Sequence, residues 1–445
     1  MTDTSRYALR RATLARHMRH GIAVIPTAPE RLRNRDSDYL YRFDSYFYYL
    51  TGFTEPGSLL VLQAGPGAGG NAGGTDTRAL LFCRDKDAER ETWEGFRWGP
   101  EAARAEFGVD EAYSINALEE MAPKLLANQP ALYYAPGAQA DWDARIMGWL
   151  NQVRAQGRTG VTAPGEIHDV RTVLDEMRLR KDAAEVATMR AAAAISAAAH
   201  LKAMGATRPG RMEFEIEAEL LYEFRRRGAQ YPAYWPIVAG GANACILHYR
   251  DNNKPLADGT LLLIDAGCEL DGYASDVTRT WPVNGRFSAA QKDAYQLVLA
   301  AQAAAIAAVR PGVHWNAPHD AAVKVLTQGF IDFGLCQGSV DKVIETGDYR
   351  RFYMHRTGHW LGLDVHDAGE YKTAGEWRDL APGMMLTVEP GCYIRPAGDV
   401  PEPFWNIGIR IEDDVLVTAA GCDVITSATP KSVADIERLV GHAAT

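Results

Sequence analysis

The feature that most constrains this chain is a set of acidic residues embedded in strand-like apolar runs in its second half. The segment TLLLIDAGCELDGYASDVTRTWPV carries an unbroken apolar approach to Asp265, and its Asp271-Gly272 pair is the strongest short signal for a tight hairpin turn. With that pair at the turn centre, Gly267 faces Asp276, and Asp265 lies two residues from Gly267 on the same face. The two carboxylates become diagonal neighbours, about 7–8 Å apart at the backbone. Alone, such a hairpin reads as solvated, with two exposed aspartates. Its company changes that reading, because MLTVEPGCYI brings Glu389 and IGIRIEDDVLVT brings Glu412 into further apolar runs. Four anions on strands that otherwise form core are costly unless something positive sits among them. HRTGHWLGLDVHD adds His359, in a loop among glycines rather than on an apolar face.

Four carboxylates and one imidazole make an oxygen-rich ligand set, suited to manganese, iron, cobalt, magnesium or zinc rather than to a thiolate-type structural zinc site. A single dication would be heavily overcompensated by four negative charges. Two, about 3.5–4 Å apart and bridged by carboxylates and a water, balance them and lower the pKa of that water, supplying a hydroxide nucleophile near neutral pH.

A chain of 445 residues with 47% hydrophobic content exceeds what one core ordinarily organises, so two domains are expected. The net charge of −10 provides no general basic field, which argues against nucleic acid as a partner. Six cysteines without CxxC spacing suit reduced thiols in the cytoplasm. No run approaches the ~18 apolar residues of a membrane helix. The arginine-rich N-terminus contains Asp3, lacks an apolar h-region and leads into IAVIPTA, so it reads as an amphipathic first helix rather than a transit peptide.

Residues 1–172 alternate helical stretches with the apolar runs GIAVIPTA, YFYYLTGF, SLLVLQA, RALLFCR and ALYYAP, the pattern of an α/β domain. GPGAGGNAGGTDT, residues 65–77, lacks the GxxxxGK[ST] pattern and no helix-forming segment follows it; it reads as a hairpin loop, not a phosphate cradle. The second domain, residues 173–445, opens on the charged, alanine-rich helix LDEMRLRKDAAEVATMRAAAAISAAAHLKAM. A second helix (212–228), a β-rich block (236–283), two helices (288–310 and 317–334) and another β-rich block (384–418) follow, which implies an α+β domain with a largely antiparallel sheet.

In these motifs and their order the chain resembles the creatinase-like, or "pita-bread", metallopeptidases, most closely the branch that cleaves before proline. The likeness is densest in GANACILHYRDN, LLLIDAGCELDGYASDVTRTWPVNG, HWLGLDVHDAG, LTVEPGCYI and GIRIEDDVLVT, and extends to RDSDYLYRFDSYFYYLTGF and HDVRTVLDEMRLRKDAAEVATMR. It implies a pita-bread catalytic domain behind a smaller α/β domain, and a metallo-aminopeptidase that removes the residue before proline. It assigns Asp265, Asp276, His359, Glu389 and Glu412 to two divalent ions, manganese foremost, with Asp276 and Glu412 bridging. His248 corresponds to a histidine that stabilises the tetrahedral oxyanion, His366 to one contacting substrate, and Glu389 to the proton shuttle. His355, Tyr393 and Arg410 correspond to the proline pocket, although Arg410 reads equally as a structural partner of the acidic cluster. The alternatives are a proline dipeptidase sharing the same ligands and a metal-free binding protein on the same fold.

The chain departs from the family at Arg356, where a glycine usually follows the residue matching His355. A cation there favours acidic or carboxylate-bearing substrates. The resemblance also implies a homodimer or homotetramer whose N-terminal domains cap active sites, with Asp36 and Trp93 near the mouth of the same or a neighbouring subunit. Aromatics concentrated among charges at 33–53 suit an interface; the other reading makes Tyr41, Phe43, Phe47 and Tyr49 the buried face of a strand.

Overall fold

The computed structural model describes residues 4–65 and 77–442, which divide into two compact units, Met1–Met177 and Arg178–Thr445. The first unit is built on a six-stranded mixed sheet, ordered Glu111–Ser114, Thr77–Cys83, Leu59–Ala64, Gly21–Pro26, Ala131–Tyr134 and Glu166–Asp169. Its three central strands pair antiparallel and its outer strands parallel. Leu118, Leu126, Ile146, Trp149 and Leu150, from the helices Leu118–Leu126 and Ala140–Arg154, fill one face of that sheet. Ala64 pairs with Thr77, so the two strands flanking the glycine-rich stretch face each other across a hairpin. Residues 66–76 of that stretch lie outside the described residues.

YFYYLTGF is not the strand its apolar run suggests. Ser45–Thr51 is a helix, capped by Asp44, whose side chain accepts from Phe47 N, and closed by Gly52 in the left-handed region. Phe47, Tyr48 and Tyr49 are all buried by its turns, so the reading of a strand face through Phe47 and Tyr49 fails. A short aromatic run satisfies both periods, and the two caps decide between them.

The second unit is α+β, in the pita-bread arrangement, and every strand pair in it is antiparallel. Ala183–Ala206 packs on Glu213–Arg226, and Ala289–Ala308 on Ala317–Asp332; these four helices cover the two β-blocks. The charged helix expected to open this domain is broken. Arg171–Leu179 ends, and Asp182 starts a new helix through a capping box with Glu185. Burial of Lys181 against Asp367, 2.8 Å away, accompanies the break.

Among the described residues no helix is long and apolar enough to cross a membrane. All six cysteines are free.

Candidate metal centre

Asp271 and Gly272 adopt positive φ, 48° and 82°, as a type I′ hairpin turn requires. From that turn the ladder keeps a single register. Leu270 faces Tyr273 and Glu269 faces Ala274, and farther along Asp265 faces Thr278 and Leu261 faces Pro282. The same register sets Gly267 against Asp276, and a Cβ on Gly267 would stand 1.7 Å from the Ser275 carbonyl oxygen. Glycine alone permits this approach. Ser196, from the helix Ala183–Ala206, enters the same gap, its hydroxyl accepting from Cys268 N and lying 2.6 Å from Ser275 Oγ.

The carboxylates are placed less regularly than strand alternation implies. Asp265 ends a strand, but Asp276, Glu389 and Glu412 fall in breaks between consecutive strands. Regular alternation would point neighbouring side chains to fixed faces, whereas a break lets each turn toward a common point. Backbone bonds stitch the breaks together: Glu412 N donates to Thr278 O, Glu389 N to Thr357 O, and Thr387 N to His359 O. The last two draw the loop carrying His359 alongside Glu389.

Ligand atoms of Asp276, His359 and Glu412 lie within 4.8 Å of one another. His359 Nδ1 is 2.9 Å from the Trp360 carbonyl, which can only accept, so Nδ1 carries the proton and Nε2 faces the acids. Nε2 is 3.4 Å from Asp276 Oδ2 and 3.8 Å from Glu389 Oε1. Tyr234, unremarked in the sequence, places its hydroxyl 2.5 Å from both Asp265 Oδ1 and Asp276 Oδ1. Its one proton serves one carboxylate at a time. No local pattern announces Tyr234, because its partners stand 31 and 42 positions away in the chain.

Arg410 is buried and bound to the acids. NH2 donates to Asp265 Oδ2 at 2.5 Å, NH1 to the Tyr393 hydroxyl at 3.0 Å and Nε to Thr278 Oγ1 at 3.1 Å. Thr278 in turn donates to Glu412 Oε2 at 2.7 Å.

Burial and mutual repulsion hold the acids above their ordinary range. Desolvation, then the charges of Asp276, Glu389 and Asp265, raise Glu412 well above a normal glutamate. Desolvation likewise lifts Asp276 and takes Glu389 to about 7, against the relief offered by His359 and Arg410. Burial alone would lower His359, but the Asp276 hydrogen bond and the Glu389 charge raise it to about 9. These residues fit divalent cations. Arg410 answers one carboxylate, and the remaining acids can ionise together only with further positive charge among them.

The cluster forms the floor of a cavity of about 930 Å³ that His248, His355, His366 and Arg356 also line. The His366 ring lies 4.2 Å from that of His359. Burial and the two neighbouring imidazoles, His359 and His248, lower His366; burial and Arg410 lower His355 to about 3. Tyr393 sits behind this wall, its hydroxyl 2.9 Å from His355 Nε2, and its side chain lines an adjacent cavity of about 450 Å³. Asp36 and Trp93 belong to the N-terminal unit, both exposed, Trp93 to 82%.

An acid-and-histidine cluster flooring an open cavity in an antiparallel α+β domain is the construction of a divalent-metal hydrolase. The chain belongs to metallopeptidase family M24, whose family model matches residues 187–419; the model of the aminopeptidase P N-terminal domain matches residues 7–133. It is 46% identical to the Xaa-Pro aminopeptidase of Haemophilus influenzae, over 92% of this chain and 91% of that protein. To the Xaa-Pro aminopeptidase of Escherichia coli it is 42% identical, over 99% of each. Its fold matches the aminopeptidase PepP structure from Pseudomonas aeruginosa with a TM-score of 0.95 at 50% identity, covering 99% of this chain and 98% of that one. Zinc-substituted E. coli aminopeptidase P in complex with product matches equally well, with a TM-score of 0.95 at 41% identity, over 100% of this chain and 99% of that one.

Proposed function

We propose that this chain is a metal-dependent aminopeptidase that releases the N-terminal residue from peptides with proline in the second position. The observation that carries this reading is the convergence of Asp276, His359 and Glu412, with Asp265 and Glu389 beside them, on the floor of a peptide-sized cavity in a chain of family M24. Full-length relatives bearing the Xaa-Pro aminopeptidase name support the substrate class.

The five residues would hold two divalent ions, Mn2+ foremost, with Zn2+, Co2+, Fe2+ or Mg2+ as substitutes, and Asp276 and Glu412 between them. When bound, the ions supply Lewis acidity toward the scissile carbonyl and lower the pKa of a water. Glu389 accepts a proton and returns it to the leaving nitrogen, a role open to a carboxylate beside the reacting water. His248, exposed on the cavity wall, donates to the developing oxyanion, and His366 contacts the bound peptide. His355 faces the proline side, held by the hydrogen-bonded chain through Tyr393 to Arg410.

The N-terminal domain, residues 1–172, serves assembly into a homodimer or homotetramer that caps active sites, with Asp36 and Trp93 near the mouth of the same or a neighbouring subunit's site. Exposed apolar side chains flank both positions in the chain, Leu32, Tyr39 and Leu40 about Asp36 and Phe96 beside Trp93, and support this role. Six free thiols suit the reducing cytoplasm. The test is hydrolysis of Xaa-Pro-Yaa peptides and of Xaa-Pro dipeptides, with metal content measured on the purified protein. Turnover of the longer peptides at about two metal ions per chain supports the reading; activity confined to dipeptides, or none with metal bound, overturns it.

A further inference from the structure

One edge of the cavity carries a cationic pair that the metal chemistry does not use. Lys372–Thr373 and Glu376–Trp377 form a two-stranded hairpin in which Lys372 faces Trp377 directly. The turn residues Ala374 and Gly375 both have positive φ, 52° and 89°, so the hairpin is tight and the cross-strand pair is held in register. Lys372 Nζ lies 4.4 Å from the centre of the Trp377 ring. Arg356, arriving from the loop that carries His355 and His359, sets its guanidinium 5.0 Å from the centre of the same ring. Its NH1 donates to Asn316 Oδ1 at 2.7 Å. Lys372, Arg356 and Trp377 all line the cavity.

Both cations are exposed, and neither forms an ion pair with a carboxylate among the described residues. Two like charges on one indole repel each other. Cation–π attraction and one neutral amide oxygen orient them but leave their charge unanswered. Arg356 also retains donors beyond the one given to Asn316, in the planar fork that matches a carboxylate. Four of the cavity's acids, Asp265, Asp276, Glu389 and Glu412, lie on its floor, placed to hold metal and bound to Tyr234 and Arg410; Glu370 also lines the cavity, exposed to water, and forms no ion pair with either cation among the described residues.

From this we propose that Arg356 and Lys372, braced on Trp377, form a carboxylate subsite that selects peptides by the negative charge they carry beyond the scissile bond. The subsite rests on the aminopeptidase reading above and extends it to the identity of the substrate. The carboxylate has two sources, the free C-terminus of a tripeptide or an Asp or Glu side chain at the third residue of a longer peptide. Either one answers the same pair of charges.

Four substrates separate the sources: an Xaa-Pro-Yaa tripeptide as free acid and as C-terminal amide, and a longer peptide with Glu or Gln in third position. The wild-type protein, loaded with Mn2+, is expected to prefer the charged member of at least one pair by roughly three- to fivefold in kcat/KM, chiefly through KM, as suits an exposed ion pair. Raising the ionic strength from about 0.05 to about 0.5 M should shrink that ratio, because screening shortens the reach of exposed charges. In R356Q/K372Q the ratio should fall toward unity. The salt dependence is read on the wild-type protein and so stands even if the variant fails to fold.

A preference in the tripeptide pair alone assigns the subsite to the C-terminus, and one in the longer pair assigns it to the acidic side chain. Equal turnover within both pairs overturns the subsite, as does a preference that survives both salt and R356Q/K372Q. If neither the amide nor the Gln peptide is hydrolysed and the charged peptides are also inert, the aminopeptidase reading itself falls, and the subsite with it.

Discussion

Gly267 meets the Ser275 backbone at a range that leaves no room for a Cβ, and replacing that glycine with alanine tests whether the hairpin gap sets the carboxylate positions. A Cβ built on Gly267 stands 1.7 Å from the Ser275 carbonyl oxygen and 2.5 Å from its carbon, and both are backbone atoms with no rotamer to escape into. Ordinary contact begins at 3.4 Å, so the facing arm must retreat by about that shortfall. The retreat strains the bonds on either side, Ser275 N to Cys268 O and Ala266 N to Val277 O, both 3.0 Å, and the bond from Cys268 N to Ser196 Oγ, also 3.0 Å. Two or three hydrogen bonds at roughly 1 kcal/mol each, with some relief by relaxation, predict a loss of about 2–4 kcal/mol. Asp276 follows Ser275 in the chain and moves with it, so metal affinity should fall by about 10- to 100-fold, the scale seen when support behind a ligand is lost. Urea unfolding of the metal-free protein reads the first effect, and calorimetric titration with Mn2+ the second. If G267A unfolds within about 0.5 kcal/mol of wild type and binds metal within about twofold, the gap does not place Asp276.

D276N and E412Q should each reduce hydrolysis to background and release at least one ion per chain, read by elemental analysis, while the circular dichroism stays that of a folded protein. Because each substitution removes a carboxylate that repels its neighbours, the metal-free variants should unfold no earlier than the wild type; wild-type activity in both would end the two-ion reading. In the metal-free protein Glu389 titrates near 7 and His359 near 9, so a cation must displace their protons. Affinity should therefore rise with pH from 6 toward 9, as measured by titration, with proton release visible in buffers of different ionisation heat; uptake at pH 8 without proton release refutes it. H248A should lower kcat by about 100- to 1,000-fold with a smaller change in KM, as loss of an oxyanion donor does. An effect confined to KM would assign His248 to ground-state binding.

Much of the centre was legible wherever its determinants are local. Asp271-Gly272 specifies a turn, the turn specifies the register, and the register sets Gly267 against Asp276 and carries Asp265 beside it. The helix Ala289–Ala308 announces itself through Ser288 and Gln291, which form a capping box at its start. Where local signals compete, the sequence misleads. YFYYLTGF fits a strand and a helix equally until Asp44 and Gly52 are recognised as its two caps, and the alanine-rich run after residue 173 conceals the break before Asp182.

The sequence by itself determined which side chains were available for metal and how the first two were spaced, because turns, caps and strand alternation act over a few residues. Only the tertiary structure decided how their charge is answered. Arg410 reaches Asp265 across 145 positions, Thr278 reaches Glu412 across 134, and Lys181 reaches Asp367 across 186. The same holds at the cavity edge, where Arg356 and Lys372 meet on Trp377 only after a loop and a hairpin have been folded against each other. Charge compensation in a buried site depends on distance through space, and no pattern of neighbouring residues encodes a distance that the whole fold must close.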